Sequence, residues 1–313
     1  MSVSKQSLAW SDQRIKEERM KHRRSYVVAL LIFITLLLST PAQSETQKSL
    51  PADFDTLLMM ATLRIAGPSA DGQGQSLGTV FIVGNPHPTE VNKYRYTLVT
   101  AAHVLQKIKG DVAVLYFRRQ LENGNWGAVP TLISIREAGR PLWAQHGEAD
   151  VAAMYIAVPE LGRPVSIPIN MLANDDLLAK YNVHPGDMLD ILGYPFGFES
   201  PVGSFPILRS GKIASYPLLP TKTTLSFLLD FRVFPGNSGG PVYINFTGER
   251  FHDNAIAMGM SFQFIMGLVS EEIKATEQRK FQYSTHIQDT PLGLAKVIHA
   301  SLIRETIALL PPP

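Results

Sequence analysis

The stretch FRVFPGNSGGPVYI, residues 231–244, decides which fold the chain can adopt. Its centre surrounds one hydroxyl, that of Ser238, with Gly236, Gly239 and Gly240, and with Pro235 and Pro241. Glycine permits backbone that other residues avoid, and proline fixes φ and removes a donor. Such a segment is either a plain turn between two strands or a backbone bent to present Ser238. The residues after the serine separate the folds. Gly236-x-Ser238-x-Gly240 formally fits the nucleophile elbow of an α/β-hydrolase, but that elbow runs straight into a helix. Here Pro241 and the β-branched run PVYINF come next, so a strand is expected after the serine.

Outward from that point the pattern is mostly period two, with turn residues between. TLLMMATLRIAG (56–67) reads as a first strand, followed by LGTVFIVG (77–84), YRYTLVTAAHV (94–104), GDVAVLYF (110–117), VPTLISIR (129–136) and DVAAMYIAV (150–158). After a proline-bearing join at 159–170 and a short helical segment in LANDDLLAKYN (172–182), strands resume in GDMLDILGYP, SFPILRSGKIASYP, TTLSFLLDFRVF, GGPVYINF and FIMGLVS. The tail TPLGLAKVIHASLIRETIALL (290–310) carries apolar residues at helical spacing and predicts a C-terminal helix. Many short strands and one terminal helix predict an all-β chain built as two antiparallel barrels, not alternating βαβ units. The expected divisions are a first barrel over 50–160, a second over 161–287, and a helix and tail over 288–313.

Composition narrows the function classes. The chain has 313 residues, 45% apolar and 18% charged, with a net charge of +2, which is ordinary globular composition. Much of the basic excess precedes residue 25, so no nucleic-acid footprint is expected. There are no cysteines, which excludes disulfides, thiolate metal sites and a cysteine nucleophile; no metal or other cofactor is expected. MKHRRSYVVALLIFITLLLSTPAQS (20–44) has a basic start, a 12-residue apolar run from Val27 to Leu38, and small residues at Ala42 and Ser44. This is the three-part pattern of a secretory signal, and the run is short for a membrane span. Residues 1–44 are therefore expected to be a signal region, removed on export or kept as an anchor if uncleaved. Met20, just before the basic cluster, is the expected start of translation.

A serine hydroxyl is a weak nucleophile and needs a base, usually oriented by a carboxylate, and N–H donors for the developing oxyanion. Gly236, Asn237 and Ser238 can supply those donors. Among the eight histidines, His103 stands near the end of the apolar segment TLVTAAHV, after small residues, a setting suited to a base, whereas His87 lies in a proline loop and His299 falls within the expected tail helix. Asp150 opens DVAAMYIAV and either accepts from an imidazole or closes the preceding QHGEA turn; spacing alone favours the turn.

The blocks TAAHV, DVAAM and PGNSGGP, in that order, resemble the His, Asp and Ser blocks of chymotrypsin-like serine proteases, nearest in flavour to the bacterial trypsin-like peptidases that include the HtrA proteases. LGTVFIV, ILGYPFG, LRSGKIAS and GLVS match too, so the similarity covers about 75–275. The resemblance implies two six-stranded β-barrels with a cleft between them. It implies His103 as general base and acid, Asp150 as its orienting partner, Ser238 as nucleophile, and the N–H groups of Gly236 and Ser238 as oxyanion donors. It also implies a polypeptide substrate and a periplasmic or secreted bacterial setting. The substrate pocket would involve Arg232, six residues before the nucleophile, with Phe234 and Ser270. Arg232 selects an acidic side chain or pairs with Asp230. Asn237 stands where trypsin has an aspartate that pairs with a new N-terminus, so no activation cut between Arg64 and Ile65 is expected; LRIAG (63–67) reads as part of the first strand. The residues after Ser238 are used by the second barrel and the helix, so no PDZ domain is expected. Glu271 and Glu272 place charges where the family pairs a substrate strand. Two other readings stay open: a catalytically inactive binding module on the same fold, and an α/β-hydrolase esterase.

Overall fold

The structure is a computed structural model that describes residues 53–86, 94–157, 165–252, 255–280 and 285–311. The expected signal region, residues 1–44, and His87 lie outside these residues. The chain is mostly β. Its first half contributes β1 (Thr62–Pro68), β2 (Gln75–Pro86), β3 (Tyr94–Thr100), β4 (Val112–Gln120), β5 (Trp126–Ser134), a small hairpin of β6 (Arg136–Glu137) and β7 (Arg140–Pro141), β8 (Ala144–Gln145), β9 (Ala152–Tyr155) and β10 (Ile167–Pro168). Eight of these form one sheet in the order β5-β4-β1-β2-β3-β9-β8, with β10 parallel to β2. The second half contributes β11 (Met188–Gly193), β12 (Ile207–Ile213), β13 (Ser226–Asp230), β14 (Pro241–His252), β15 (Ala255–Lys280) and β16 (Thr285–His299), which close into a barrel in the order β11-β12-β13-β16-β15-β14.

One closed six-stranded barrel is thus present, and the first half departs from the expected second one. Its sheet has an open path, with β5 at one end and β8 at the other. The slot between Thr131–Ser134 of β5 and Met154–Ala157, the end of β9 and the residues just after it, is a groove of about 410 Å³. The remaining β4–β5 and β3–β9 pairs are antiparallel and regular.

Two expected elements differ from the structure. Residues 54–61 form a helix, α1 (Phe54–Ala61), and the first strand begins only at Thr62. Asp53 caps it, its carboxylate accepting from the Thr56 N–H at 2.8 Å, which satisfies one of the helix's orphan donors. Phe54, Leu58 and Ala61 are buried at helical spacing, a signal that the run of apolar letters conceals. At the other end, residues 285–299 are strand and the terminal helix, α4 (Ala300–Ala308), is shorter than the tail pattern suggests. LAKVIH fits either period. Pairing of β16 with both β13 and β15 settles it as a strand, with Ala295 and Val297 inward and Lys296 half-exposed. The short α3 (Asp175–Lys180) falls inside the expected helical segment, capped by Asn174.

His299 therefore ends β16, with its ring 4.9 Å from that of Phe227. It is buried, and neither ring nitrogen has a hydrogen-bond partner among the described residues. Burial pushes its pKa down to about 4, against a smaller opposing pull from Asp175. An unfolded chain binds this proton from about pH 6.5 downward and the folded chain does not. The stabilisation is complete above pH 6.5 and is lost as pH falls toward 4, to the extent of about 3 kcal/mol. Urea unfolding between pH 7.5 and 4 is expected to show a steeper loss of stability for the wild-type chain than for His299→Leu, whose profile lacks this component.

Candidate active site

β3 ends at Thr100 and the chain turns into the single helical turn α2 (Ala102–Gln106), so His103 sits in a turn of helix just past the strand end. Asp150 lies just before β9, the strand that pairs with β3 from Thr97 to Thr100. That pairing brings the two residues together across the sheet. The carboxylate accepts from the His103 backbone N–H at 3.0 Å through Oδ1 and lies 2.7 Å from the ring Nδ1 through Oδ2. The Ser270 hydroxyl donates to the same Oδ2 at 2.6 Å. Burial pushes the Asp150 carboxyl upward, but the hydrogen bonds and charge of His103 and the Ser270 bond offset this and hold it at about 2. An ionised carboxylate only accepts. Nδ1 must then carry the proton, leaving the Nε2 lone pair as a base.

The loop that carries Ser238, between β13 and β14, is fixed by its carbonyls. The Pro235 carbonyl accepts from the Phe196 N–H at 2.6 Å and the Asn237 carbonyl from the Gly240 N–H at 3.0 Å. In a trans peptide the N–H points away from its carbonyl, so the Gly236 and Ser238 N–H groups face the other way. Neither has an acceptor among the described residues. Gly236 has φ +95° and Gly239 φ +84°. A side chain on Gly236 would collide with the Tyr194 carbonyl, and one on Gly239 with Thr100 and the Thr79 carbonyl. The glycines are required both by backbone conformation and by close approach of other chain.

Thr79 of β2 holds this loop against the first sheet. It is fully buried. Its N–H donates to the Ser238 carbonyl at 2.9 Å, its hydroxyl donates to the Gly236 carbonyl at 2.6 Å, and the same hydroxyl oxygen accepts from the Tyr194 N–H at 3.3 Å. Thr100 in turn donates to the Thr79 carbonyl at 2.7 Å.

His103, Asp150, Ser238, Phe234 and Ser270 all line one cleft of about 880 Å³. No hydrogen bond joins Ser238 to His103; the Ser238 hydroxyl donates to the Ser270 carbonyl at 3.0 Å. Three sequence-based assignments shift. Arg232 is exposed and does not line the cleft; its guanidinium lies 5.4 Å from the centre of the Phe234 ring, and no ion pair with Asp230 forms among the described residues. Asn237 has no backbone N–H to offer an oxyanion, because that group donates to the Phe234 carbonyl at 3.0 Å. Its side-chain oxygen accepts from the Phe234 N–H at 3.2 Å, so it shapes the loop with a neutral group and makes no ion pair. Ser270, placed with the pocket, also donates to Asp150. Phe234 packs on Phe196, ring centres 5.1 Å apart. Thr79 lies in the matching block LGTVFIV, for which the resemblance implies no role; a lone hydroxyl in that apolar run is its one signal. Among the described residues no three His, Asp or Glu side chains gather as a metal site would need.

No model of a known protein family matches the chain, and no curated protein matches it.

Replacing Thr79 with valine keeps its shape but leaves the Gly236 carbonyl and the Tyr194 N–H without that partner. Unpaired buried groups cost on the order of 1–3 kcal/mol. Thr79→Val is expected to lose that much stability in chemical denaturation, while Thr131→Val, whose threonine is only half-buried on β5, changes little.

Proposed function

We propose that the chain is a serine endopeptidase that cleaves polypeptides through an acyl-enzyme, with His103, Asp150 and Ser238 as its triad. The observation that carries the reading is the pairing of an ionised Asp150 with the His103 Nδ1 in the cleft that Ser238 also lines. Rotation of the Ser238 hydroxyl from the Ser270 carbonyl toward the cleft would bring it to Nε2, which takes its proton as the oxygen attacks a carbonyl carbon. His103 then returns that proton to the leaving amine, and water repeats the sequence to release the acyl group. Free N–H groups of Gly236 and Ser238 would take the oxyanion. Geometry in free enzymes is often looser than in the complex, which accommodates the resting Ser238 bond.

On this reading the fold is of the chymotrypsin type, its first barrel left open between β5 and β9. The residue order base, acid, nucleophile and the strand after Ser238 weigh against an α/β-hydrolase. Export follows from the basic, apolar and small-residue pattern of 20–44. No helix among the described residues is long and apolar enough to cross a membrane. One observation favours an inactive binding module instead: the Ser238 hydroxyl is hydrogen-bonded away from His103.

A fluorophosphonate probe separates the two. The active reading expects labelling of the wild-type chain and none of Ser238→Ala, with casein hydrolysis lost in parallel. Asp150→Asn, which favours the wrong tautomer of His103, is expected to lower kcat on the order of 10⁴-fold. A folded wild-type chain that neither labels nor cleaves is the binding module.

A further inference from the structure

The turn QHGEA (145–149), just before Asp150, carries a histidine of its own. The His146 side chain is only 12% exposed. Its Nδ1 accepts from two backbone N–H groups, that of Glu148 at 3.1 Å and that of Ala149 at 3.0 Å. A ring nitrogen accepts only with a free lone pair. The ring is therefore neutral with its proton on Nε2, and Nε2–H donates to the Glu305 carboxylate of α4 at 3.3 Å. His103 has the opposite tautomer, with Nδ1 protonated beside Asp150. One histidine leaves Nε2 unprotonated in the cleft; the other uses Nδ1 to hold backbone.

The bonds of His146 fall on both neighbours of Asp150. Ala149, before it, is buried, and its N–H is held by the ring. Val151, after it, is fully buried, and its carbonyl accepts from the His146 backbone N–H at 3.0 Å. The Val151 N–H in turn donates to the Ala149 carbonyl at 2.9 Å, which closes a three-residue turn with Asp150 in the middle. The direction of the Asp150 side chain follows from that turn. Through Glu305 the ring also ties the turn to α4, which packs against β8 and β9. Spacing reads Asp150 as the close of the QHGEA turn and block order reads it as the partner of His103; it occupies both places.

We propose that His146 is a positioning residue: its neutral ring, protonated on Nε2, shapes the turn that aims the Asp150 carboxylate at His103. Its effect on turnover rests on the protease reading; its effect on the Asp150–His103 pair does not. The geometry to be kept is narrow. Asp150 reaches the His103 backbone N–H at 3.0 Å and the ring Nδ1 at 2.7 Å through its two oxygens. A misplacement of about 1 Å in such a group costs on the order of 10²-fold in rate. His146 does not line the cleft, so it acts through Asp150 and not on the substrate.

Three variants of the full chain test this. His146→Leu removes the acceptor. His146→Asn keeps one, because an asparagine oxygen accepts from backbone N–H two residues on. His146→Gln carries the same amide one carbon further out, too far to close that turn. Casein hydrolysis per folded chain is expected to fall on the order of 10²-fold in kcat for His146→Leu and His146→Gln, with KM little changed, and His146→Asn is expected to recover most of the loss. Nuclear magnetic resonance of the ¹⁵N-histidine-labelled chain supplies readouts that need no turnover. Wild-type His146 is expected to show the Nε2–H tautomer. The low-field proton of the His103 Nδ1–H bond to Asp150 is expected in the wild-type chain and His146→Asn, and is lost in the other two. A wild-type His146 protonated on Nδ1 overturns the proposal, even if His146→Leu and His146→Gln fail to fold. So does an unchanged His103 proton in either of those variants, or a loss in His146→Asn as large as theirs. Failure of the protease reading shows separately, as absent fluorophosphonate labelling of a wild-type chain whose His103 proton still responds to His146.

Discussion

Everything at the site depends on Thr79. One residue of the first sheet holds two carbonyls of the Ser238 loop and the backbone N–H of Tyr194, and its own carbonyl is held by Thr100. The loop belongs to the barrel between β13 and β14, so these bonds carry the register between the two halves. They also orient the loop. With the Gly236 and Ser238 carbonyls directed at Thr79, and those of Pro235 and Asn237 satisfied elsewhere, no carbonyl in that run is left to fill the cleft. Two N–H groups remain without acceptors. The glycines at 236 and 239 follow from the same packing, because any side chain there would strike the strands that the loop is tied to.

On the acid side, too, a few contacts serve several ends. Asp150 receives three hydrogen bonds, from the His103 backbone, the His103 ring and Ser270. Those bonds keep it ionised despite its burial, and ionisation in turn fixes the imidazole tautomer. Ser270 links Asp150 to Ser238: its hydroxyl donates to Asp150 while its carbonyl accepts from Ser238. A shift of β15 would therefore disturb Asp150 and Ser238 together.

Much of this is legible in the sequence, and the parts that are not have physical reasons. The strand after Ser238 follows from Pro241 and PVYINF, and the meeting of His103 with Asp150 follows from block order rather than from spacing, which favours a turn. Helix α1 is hidden because its apolar letters also fit a strand; the deciding feature, the Asp53 cap, is a single residue outside the pattern. The tail reads as helix down to 290 because LAKVIH satisfies both periods, and only pairing on both edges of β16 distinguishes them. The open path of the first sheet is invisible, since each of its strands has ordinary alternation and closure depends on how the ends meet. Counting back from Ser238 places Arg232 in the pocket, but the chain there turns the guanidinium onto Phe234, and a linear count does not carry direction. The contacts of Thr79 and the second role of Ser270 span more than 30 residues of sequence; both residues lie in matching blocks, but a linear match does not carry which distant groups they bond.

We propose Ser238 as a nucleophile served by His103 and by the N–H groups of Gly236 and Ser238. A crystal structure of the diisopropyl fluorophosphate adduct tests it most directly. The expected result is phosphorus bonded to the Ser238 oxygen, which has left the Ser270 carbonyl, with the phosphoryl oxygen about 2.7–3.1 Å from both N–H groups and His103 Nε2 facing the adduct. An adduct on another residue, or a phosphoryl oxygen turned away from both N–H groups, would contradict it.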